Sequence, residues 1–455
     1  MSSEVTRETW ASRAGFILAA VGSAVGLGNV WRFPFQVAQE GGGAFLAIYL
    51  LFVLTVGFPA ILAEFVVGRH TKRNPVSAVA ELGGGAWRYV GWIFVVTGVI
   101  ILSYYSVVAS WTLRYVLFGL GDGYVSDVAA AGAQFDAVAT GLDAVGFHAL
   151  FMLAAITVVA AGIERGIELT VKVMVPAIVV VAVGMAVYAF TLDGAGAAYA
   201  YYLAPDVEVI AADWRSILPA AAGQAFFTLS LGMGTMVTYA SYLGEDRNLA
   251  ADGAVIVGLD TLIALVVGLI VFPVFFTAGV DPADPGPGAI FVGLTSAFAD
   301  VPFGRLVGLA FFVTVAVAAL SSAISILEVA VSFLVDERGI DRKVATLGVG
   351  GGVFLLGVPS ALDLVLLDLF DTFADRVLLV AGALLLVVLV GWLAADVARE
   401  ELEKGIGDLG PYGDAWIWLV RLPVAITLVV ALVLGVSEYV EFLTGDFADW
   451  LAALR

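Results

Sequence analysis

Apolar runs of roughly 20 residues recur from one end of this chain to the other, joined by short polar stretches, and a bilayer imposes that spacing on helices. With 61% of its 455 residues hydrophobic, 13% charged and a mean hydropathy of +1.02, the chain has more apolar surface than a water-soluble core can hide. It is therefore read as an all-α integral membrane protein, since a β-barrel would alternate in segments of about ten residues. About eleven transmembrane helices are expected, over residues 13–38, 42–69, 88–119, 145–162, 166–191, 215–243, 250–278, 303–335, 342–358, 372–396 and 414–443.

The first run follows the polar MSSEVTRETWASR and no small-residue cleavage site comes after it, so it reads as a retained helix. Basic residues fix the orientation. Arg7, Arg13, Arg69, Lys72, Arg73, Arg165, Arg247, Arg342 and Lys343 fall on one side, against Arg114, Arg215 and Arg305 on the other. The positive-inside rule then makes the N-terminus cytoplasmic in a multi-pass protein of the cell (plasma) membrane. The long connections near 120–144, 192–214 and 279–302 fall outside, and DPADPGPG in the last is expected to form a lid or hairpin over an outer vestibule. Arg32, Arg376 and Arg421 lie within or beside apolar segments and need partners.

Several function classes are excluded. The chain has no cysteine, and its two histidines, His70 and His148, sit near helix ends, so neither thiolate nor histidine-cluster chemistry is available and no enzyme is indicated. A net charge of −19 argues against nucleic acid as a partner. The acidic loops also fit a host living in high salt.

Two segments depart from the pattern of a membrane helix. GSAVGLGNVWRFP (Gly22 to Pro34) interrupts the first helix with glycines, Asn29 and Arg32, and FFTLSLGMGTM (Phe226 to Met236) interrupts the sixth with Gly232 and Gly234. Lipid cannot satisfy the backbone groups a broken helix exposes, so such breaks survive only where they line a cavity or an ion. Breaks in helices one and six, five helices apart, suit two inverted five-helix repeats. Half-helix N-termini offer N–H groups to an anion, and half-helix C-termini offer carbonyls to a cation. An amino acid's carboxylate suits such a site.

WASRAGFILAAVGSAVGLGNVWRFP, then GGGAF (Gly41 to Phe45) and FFTLSLGMG, resemble the neurotransmitter:sodium symporters, particularly their prokaryotic amino-acid transporters, and the resemblance runs through helices one to ten. It implies a leucine-transporter-like five-plus-five inverted-repeat fold. The expected organisation is a cytoplasmic segment 1–12, a first repeat 13–191, an extracellular loop 192–214, a second repeat 215–396, and an eleventh helix with tail 397–455. The implied function is sodium-coupled import of a hydrophobic or aromatic L-amino acid by alternating access. Two sodium ions are implied as well. The first would take the Ala24 carbonyl, Asn29, Thr228 and Asp260; the second, the Gly22 and Val25 carbonyls with Ala318, Ser321 and Ser322. Many relatives have asparagine where Asp260 stands. Chloride-dependent members place a serine where Ala264 stands, so no chloride requirement is expected, with Asp260 as the resident negative charge.

The implied substrate pocket comprises Ile101, Tyr105, Phe227, Ser230, Met233, Ser322 and Ile326, with the backbone of Ala24, Gly26 and Gly28 receiving the carboxylate. Arg32 and Asp371, above Tyr105 and Phe227, would form the outer gate, and Arg7 and Trp10, with Asp336 and Tyr242, the inner one. Glu64 would hold unwound backbone, while Gly166 and Pro176 in RGIELTVKVMVP would let the fifth helix unwind. Glu328 receives no role. Other readings are a proton-coupled or exchanging transporter of the same fold, which would lack the full set of ion ligands, and a sensor that binds without transport. The lipid bilayer is the one implied macroscopic partner, and the oligomeric state stays open.

Overall fold

The computed structural model describes residues 8–280 and 289–454, and within them the chain is helical throughout, with no strand. The segment DPADPGPG and Arg7 lie outside the described residues. We number the crossing helices α1 (Arg13–Ala24 and Gly28–Gln39), α2 (Gly43–Thr71), α3 (Gly85–Leu120), α4 (Gly141–Ala160) and α5 (Ile163–Ala189). Next come α6 (Val207–Thr228 and Thr235–Ala240) and α7 (Leu249–Ala278), then α8 (Gly304–Arg338), α9 (Arg342–Leu362), α10 (Leu364–Leu393) and α11 (Pro411–Ala453). Among the described residues nine of these are long and apolar enough to span a membrane as single helices. The halves of α1 are bent by 50° and make a tenth span, and α6 is divided by the longer break 229–234.

Polar caps start the helices where the sequence turns apolar. The Ser12 hydroxyl accepts the Gly15 N–H ahead of α1, and the side chains of Asn248, Asp341 and Asp363 accept the first free N–H groups of α7, α9 and α10. Asp363 explains one difference from the expected boundaries. Helix α10 begins at Leu364 rather than 372, because Asp368 and Asp371 continue a helix whose polar side faces an outer crevice. The acids that read as loop are helical.

Equivalent helices of the two repeats pack on each other, α3 on α8 and α4 on α9. The first half of α1 lies against α5, α7 and α8, and the second half of α6 lies against α2. The broken parts of both helices, residues 22–30 and 228–240, are therefore buried in the middle of the bundle among whole helices. Helix α11 packs outside, along α10.

Candidate functional site

Each break in the bundle has its backbone held by a buried side chain, which is what a non-helical segment at this depth requires. In α1 the chain leaves the helix after Ala24, with Val25 extended (φ −75°, ψ 101°), and re-enters through a π-helical turn at Gly28–Arg32. The Gly26 N–H donates to Asn29 Oδ1 (3.2 Å), the Leu27 N–H to Tyr105 Oη (3.4 Å), and Gln224 Nε2 to the Gly28 carbonyl (3.0 Å). In α6, Ser230, Gly232 and Gly234 all have positive φ, and the Gly232 N–H donates to the Glu64 carboxylate at 2.8 Å. Serine at φ 53° is strained, so residues 229–234 hold this shape through their surroundings.

Three of the residues expected at the first ion site, Asn29, Thr228 and Asp260, meet. Asp260 is fully buried midway along α7, and its two carboxylate oxygens accept Asn29 Nδ2 (2.8 Å) and the Thr228 hydroxyl (2.9 Å). Asn29 Nδ2 also lies 3.0 Å from Thr228 Oγ1. Among the described residues no basic side chain pairs with this carboxylate; it takes the Asn29 amide and Thr228 hydroxyl protons, and its oxygens with those of Thr228 and Asn29 are the ligand type a hard cation prefers.

At the second expected site, Ser322 Oγ lies 3.4 Å from each of the carbonyls of Gly22, Val25 and Ala318. One hydroxyl proton cannot satisfy them all. Ser321 Oγ is buried with no hydrogen-bond partner among the described residues, and a Cβ on Gly22 would lie 2.2 Å from it. Oxygen atoms from α1 and α8 converge there with too few protons, which again fits a cation.

Between the breaks is a small cavity of about 20 Å³, bordered by every residue expected at the substrate pocket and also by Ser23 and Leu27. Glycine at 26 is sterically required. A Cβ there would come within 2.4 Å of Ser322 Oγ and 2.8 Å of Tyr105 Oη. One end of the cavity offers free backbone and hydroxyls; the other is Ile101, Met233 and Ile326.

The ion pair above the cavity differs from the expected one. Arg32 Nη1 bonds Asp375 Oδ2 at 2.8 Å, with its guanidinium 4.5 Å from the centre of the Phe227 ring, whereas Asp371 lies one turn earlier in the same crevice. The π-helical stretch Thr372–Leu379 changes the phase of α10 and turns Asp375 toward Arg32. Of the other arginines in apolar sequence, Arg376 pairs with Glu438, and Arg421 Nε donates to the Gly391 carbonyl.

On the face carrying the N-terminal segment, Trp10 Nε1 donates to the Tyr239 carbonyl (2.9 Å), and the Trp10 N–H reaches the Tyr242 carbonyl (3.4 Å). Tyr242 Oη donates to Glu328 (2.8 Å), whose other oxygen accepts Arg342 Nη2 at 2.7 Å. Glu328, without a role in the sequence, is the buried anion of this closure. Asp336 lies two turns farther along α8, near its end. Gly166 sits in a π-helical turn, Ile163–Glu168, and α5 continues through Pro176 without a break. The expected unwinding of the fifth helix is therefore absent from this arrangement.

Sequence reasoning also missed the acids that clasp the first residues of the chain. Glu168 accepts the Ala11 N–H (2.8 Å) and the Ser12 hydroxyl (2.7 Å), and the buried Asp252 pairs with Arg13 and Arg247. Both acids are near helix starts, where the sequence gives no sign of burial; only their position opposite the N-terminal segment reveals them.

A sequence profile described as the sodium:neurotransmitter symporter family matches residues 7–124 and 135–454. The chain is 34% identical to an uncharacterized sodium-dependent transporter, YhdH, of Bacillus subtilis (strain 168), across 94% of this chain and 98% of that one. It is also 34% identical to an uncharacterized sodium-dependent transporter of Methanocaldococcus jannaschii, across 94% and 91% of the two chains. The crystal structure of MhsT in complex with L-phenylalanine is similar with a TM-score of 0.85 and 36% identity, covering 94% of this chain and 99% of that one.

Proposed function

The chain belongs to the sodium:neurotransmitter symporter family, and from that premise we propose that it imports a hydrophobic or aromatic L-amino acid with two sodium ions across the cell membrane. The observation that carries this reading is the cavity between the two breaks, with an apolar end and a polar end of backbone and hydroxyls. The substrate carboxylate meets the unwound backbone between Ala24 and Gly28 and the Tyr105 hydroxyl, and the side chain meets Ile101, Met233 and Ile326. The cavity is closed down to about 20 Å³ here, so the substrate enters as its walls move apart, and Met233 can change shape to receive Phe, Tyr, Trp or Leu. MhsT, crystallised with L-phenylalanine, supports this substrate class.

Asn29, Thr228, Asp260 and the Ala24 carbonyl hold the first sodium, and the carbonyls of Gly22, Val25 and Ala318 with Ser321 and Ser322 hold the second. Asp260 supplies the negative charge, so chloride is not needed. The substrate joins this polar cluster and completes it, which favours closure of Arg32 and Asp375 over Tyr105 and Phe227. On the cytoplasmic side, release requires the N-terminal segment to leave Glu168, Asp252 and the Tyr242–Glu328–Arg342 group. Unwinding of α5 between Gly166 and Pro176 then admits water to the second ion. The membrane potential adds about 2.3 kcal/mol per charge per 100 mV to the sodium gradient.

Equilibrium binding of radiolabelled L-phenylalanine to the purified protein, with a competing panel of amino acids, tests the assignment. Binding in sodium chloride and sodium gluconate but not in potassium chloride is expected, with Trp, Tyr and Leu competing and Asp and Lys not. Equal binding in potassium, or competition by charged amino acids alone, overturns it.

A further inference from the structure

Ser23 sits in the last turn before the break in α1, between the residues assigned to the two ions, and both its carbonyl and its hydroxyl are hydrogen-bonded to side chains of other helices. Its carbonyl accepts the hydroxyls of Ser230 (2.9 Å) and Ser322 (3.0 Å), and its own hydroxyl lies 2.8 Å from Ser325 Oγ. Ser325 Oγ is in turn 2.7 Å from the Ser322 carbonyl. Ser23 and Ser325 are buried, so water does not compete for these bonds.

A carbonyl has two acceptor positions, and both at Ser23 are taken by hydroxyls. That leaves the flanking carbonyls of Gly22 and Val25 for a cation. These belong to α1, whereas Ala318, Ser321 and Ser322 belong to α8, so the size of the second ion site depends on the spacing of the two helices. Serine in a membrane helix ordinarily satisfies itself by bonding back to its own helix, as Ser325 does toward Ser322. With the Ser325 proton directed at the Ser322 carbonyl, the Ser23 hydroxyl is the donor of the bridge, and it reaches across to α8 instead of bonding back to its own helix. It links α1 to α8 by side chains, one helical turn beyond Ser321 and Ser322.

We propose that Ser23 and Ser325 are positioning residues for the second sodium site, their hydroxyl bridge fixing α1 and α8 at the separation where five oxygen ligands converge. The proposal rests on the second-site assignment above. Ion ligands must be held to within roughly half an ångström, and the bridge does so before the ion arrives. Ser23 borders the substrate cavity and precedes Ala24, so the readout that isolates the second ion site is sodium binding without substrate.

The test is sodium titration of the purified full chain without substrate, read as sodium-22 binding and as the rise in unfolding temperature. Removing one buried hydrogen bond, about 1 kcal/mol at 1.4 kcal/mol per tenfold, raises the half-saturating sodium concentration of Ser325→Ala about fivefold. Ser325→Thr restores it, and Ser23→Ala combined with Ser325→Ala is no worse than either alone, because both remove one bridge. The proposal is overturned if these variants unfold at a lower temperature in sodium-free buffer yet keep the wild-type sodium midpoint, the signature of packing alone. Should Ser325→Ala fail to fold, Ser23→Ala and Ser325→Thr still decide. A wild-type protein indifferent to sodium would instead overturn the two-ion assignment on which the proposal stands, which separates the two failures.

Discussion

Replacing Asp260 by asparagine removes one charge and almost no volume from the first ion site, so it isolates the electrostatic part of sodium binding. The carboxylate is fully buried, and its oxygens are 2.8 and 2.9 Å from Asn29 Nδ2 and Thr228 Oγ1. A sodium ion among these groups lies within about 4 Å of the carboxylate charge, where an effective dielectric constant of about 20 gives an attraction of about 4 kcal/mol. Lost in full, that is about a thousandfold in sodium affinity. The amide oxygen of asparagine remains a ligand and the neighbours relax, so a loss of about one hundredfold or more is expected for Asp260→Asn. The assay is substrate binding against sodium concentration in gluconate and in chloride buffers. Wild type is expected to give the same curve in both. A wild-type curve that collapses without chloride, or an Asp260→Asn curve superimposed on wild type, would refute the assignment of Asp260 as the resident counter-charge.

The outer pair, the cavity wall and the N-terminal face yield separate expectations. Asp375→Ala leaves Arg32 without its 2.8 Å partner and speeds substrate dissociation about tenfold in a filter-binding chase, while Asp371→Ala has the smaller effect. Gly26→Ala puts a methyl group against Ser322 Oγ and Tyr105 Oη, so it abolishes substrate binding and lowers the unfolding temperature in detergent while the helical circular-dichroism signal stays that of wild type. Glu401 lies in the short helix Ala395–Glu403 following α10, where burial raises its carboxyl pKa but Lys404 and Arg69 outweigh burial and hold it below the usual 4.5. A depressed pKa stabilises the fold above the unfolded value, and that contribution is lost as pH falls through the folded value. Wild type should therefore be more stable than Glu401→Gln at pH 7, with the difference shrinking below about pH 4.5, followed by thermal unfolding across pH.

Length and hydropathy were enough to find the crossing segments, because lipid leaves few alternatives to a continuous helix. The breaks were equally plain, since glycine and asparagine in the middle of a span are costly unless they serve a site. Harder to read were positions decided by helical phase and by distant neighbours. Asp371 and Asp375 are one turn apart in α10, and only the π-helical turns after Asp371 select the second as the partner of Arg32. Glu168, Asp252 and Glu328 look like ordinary helix acids in sequence; Ser12 and Arg13, which cover the first two, and Tyr242, which covers the third, come from remote stretches. Ser23 was hidden differently. It is small and stands among small residues, and its importance lies in bonds to Ser230, Ser322 and Ser325, some 200 to 300 residues away.

Coupled import is tested most directly by the uptake of radiolabelled L-phenylalanine into proteoliposomes loaded with potassium and diluted into sodium or potassium buffer, with valinomycin to set the potential. An inward sodium gradient should drive accumulation above the external concentration, more so with the interior negative, and chloride replacement should leave it unchanged. Uptake that only equilibrates, or that proceeds equally from potassium buffer, would contradict sodium-coupled import of this substrate.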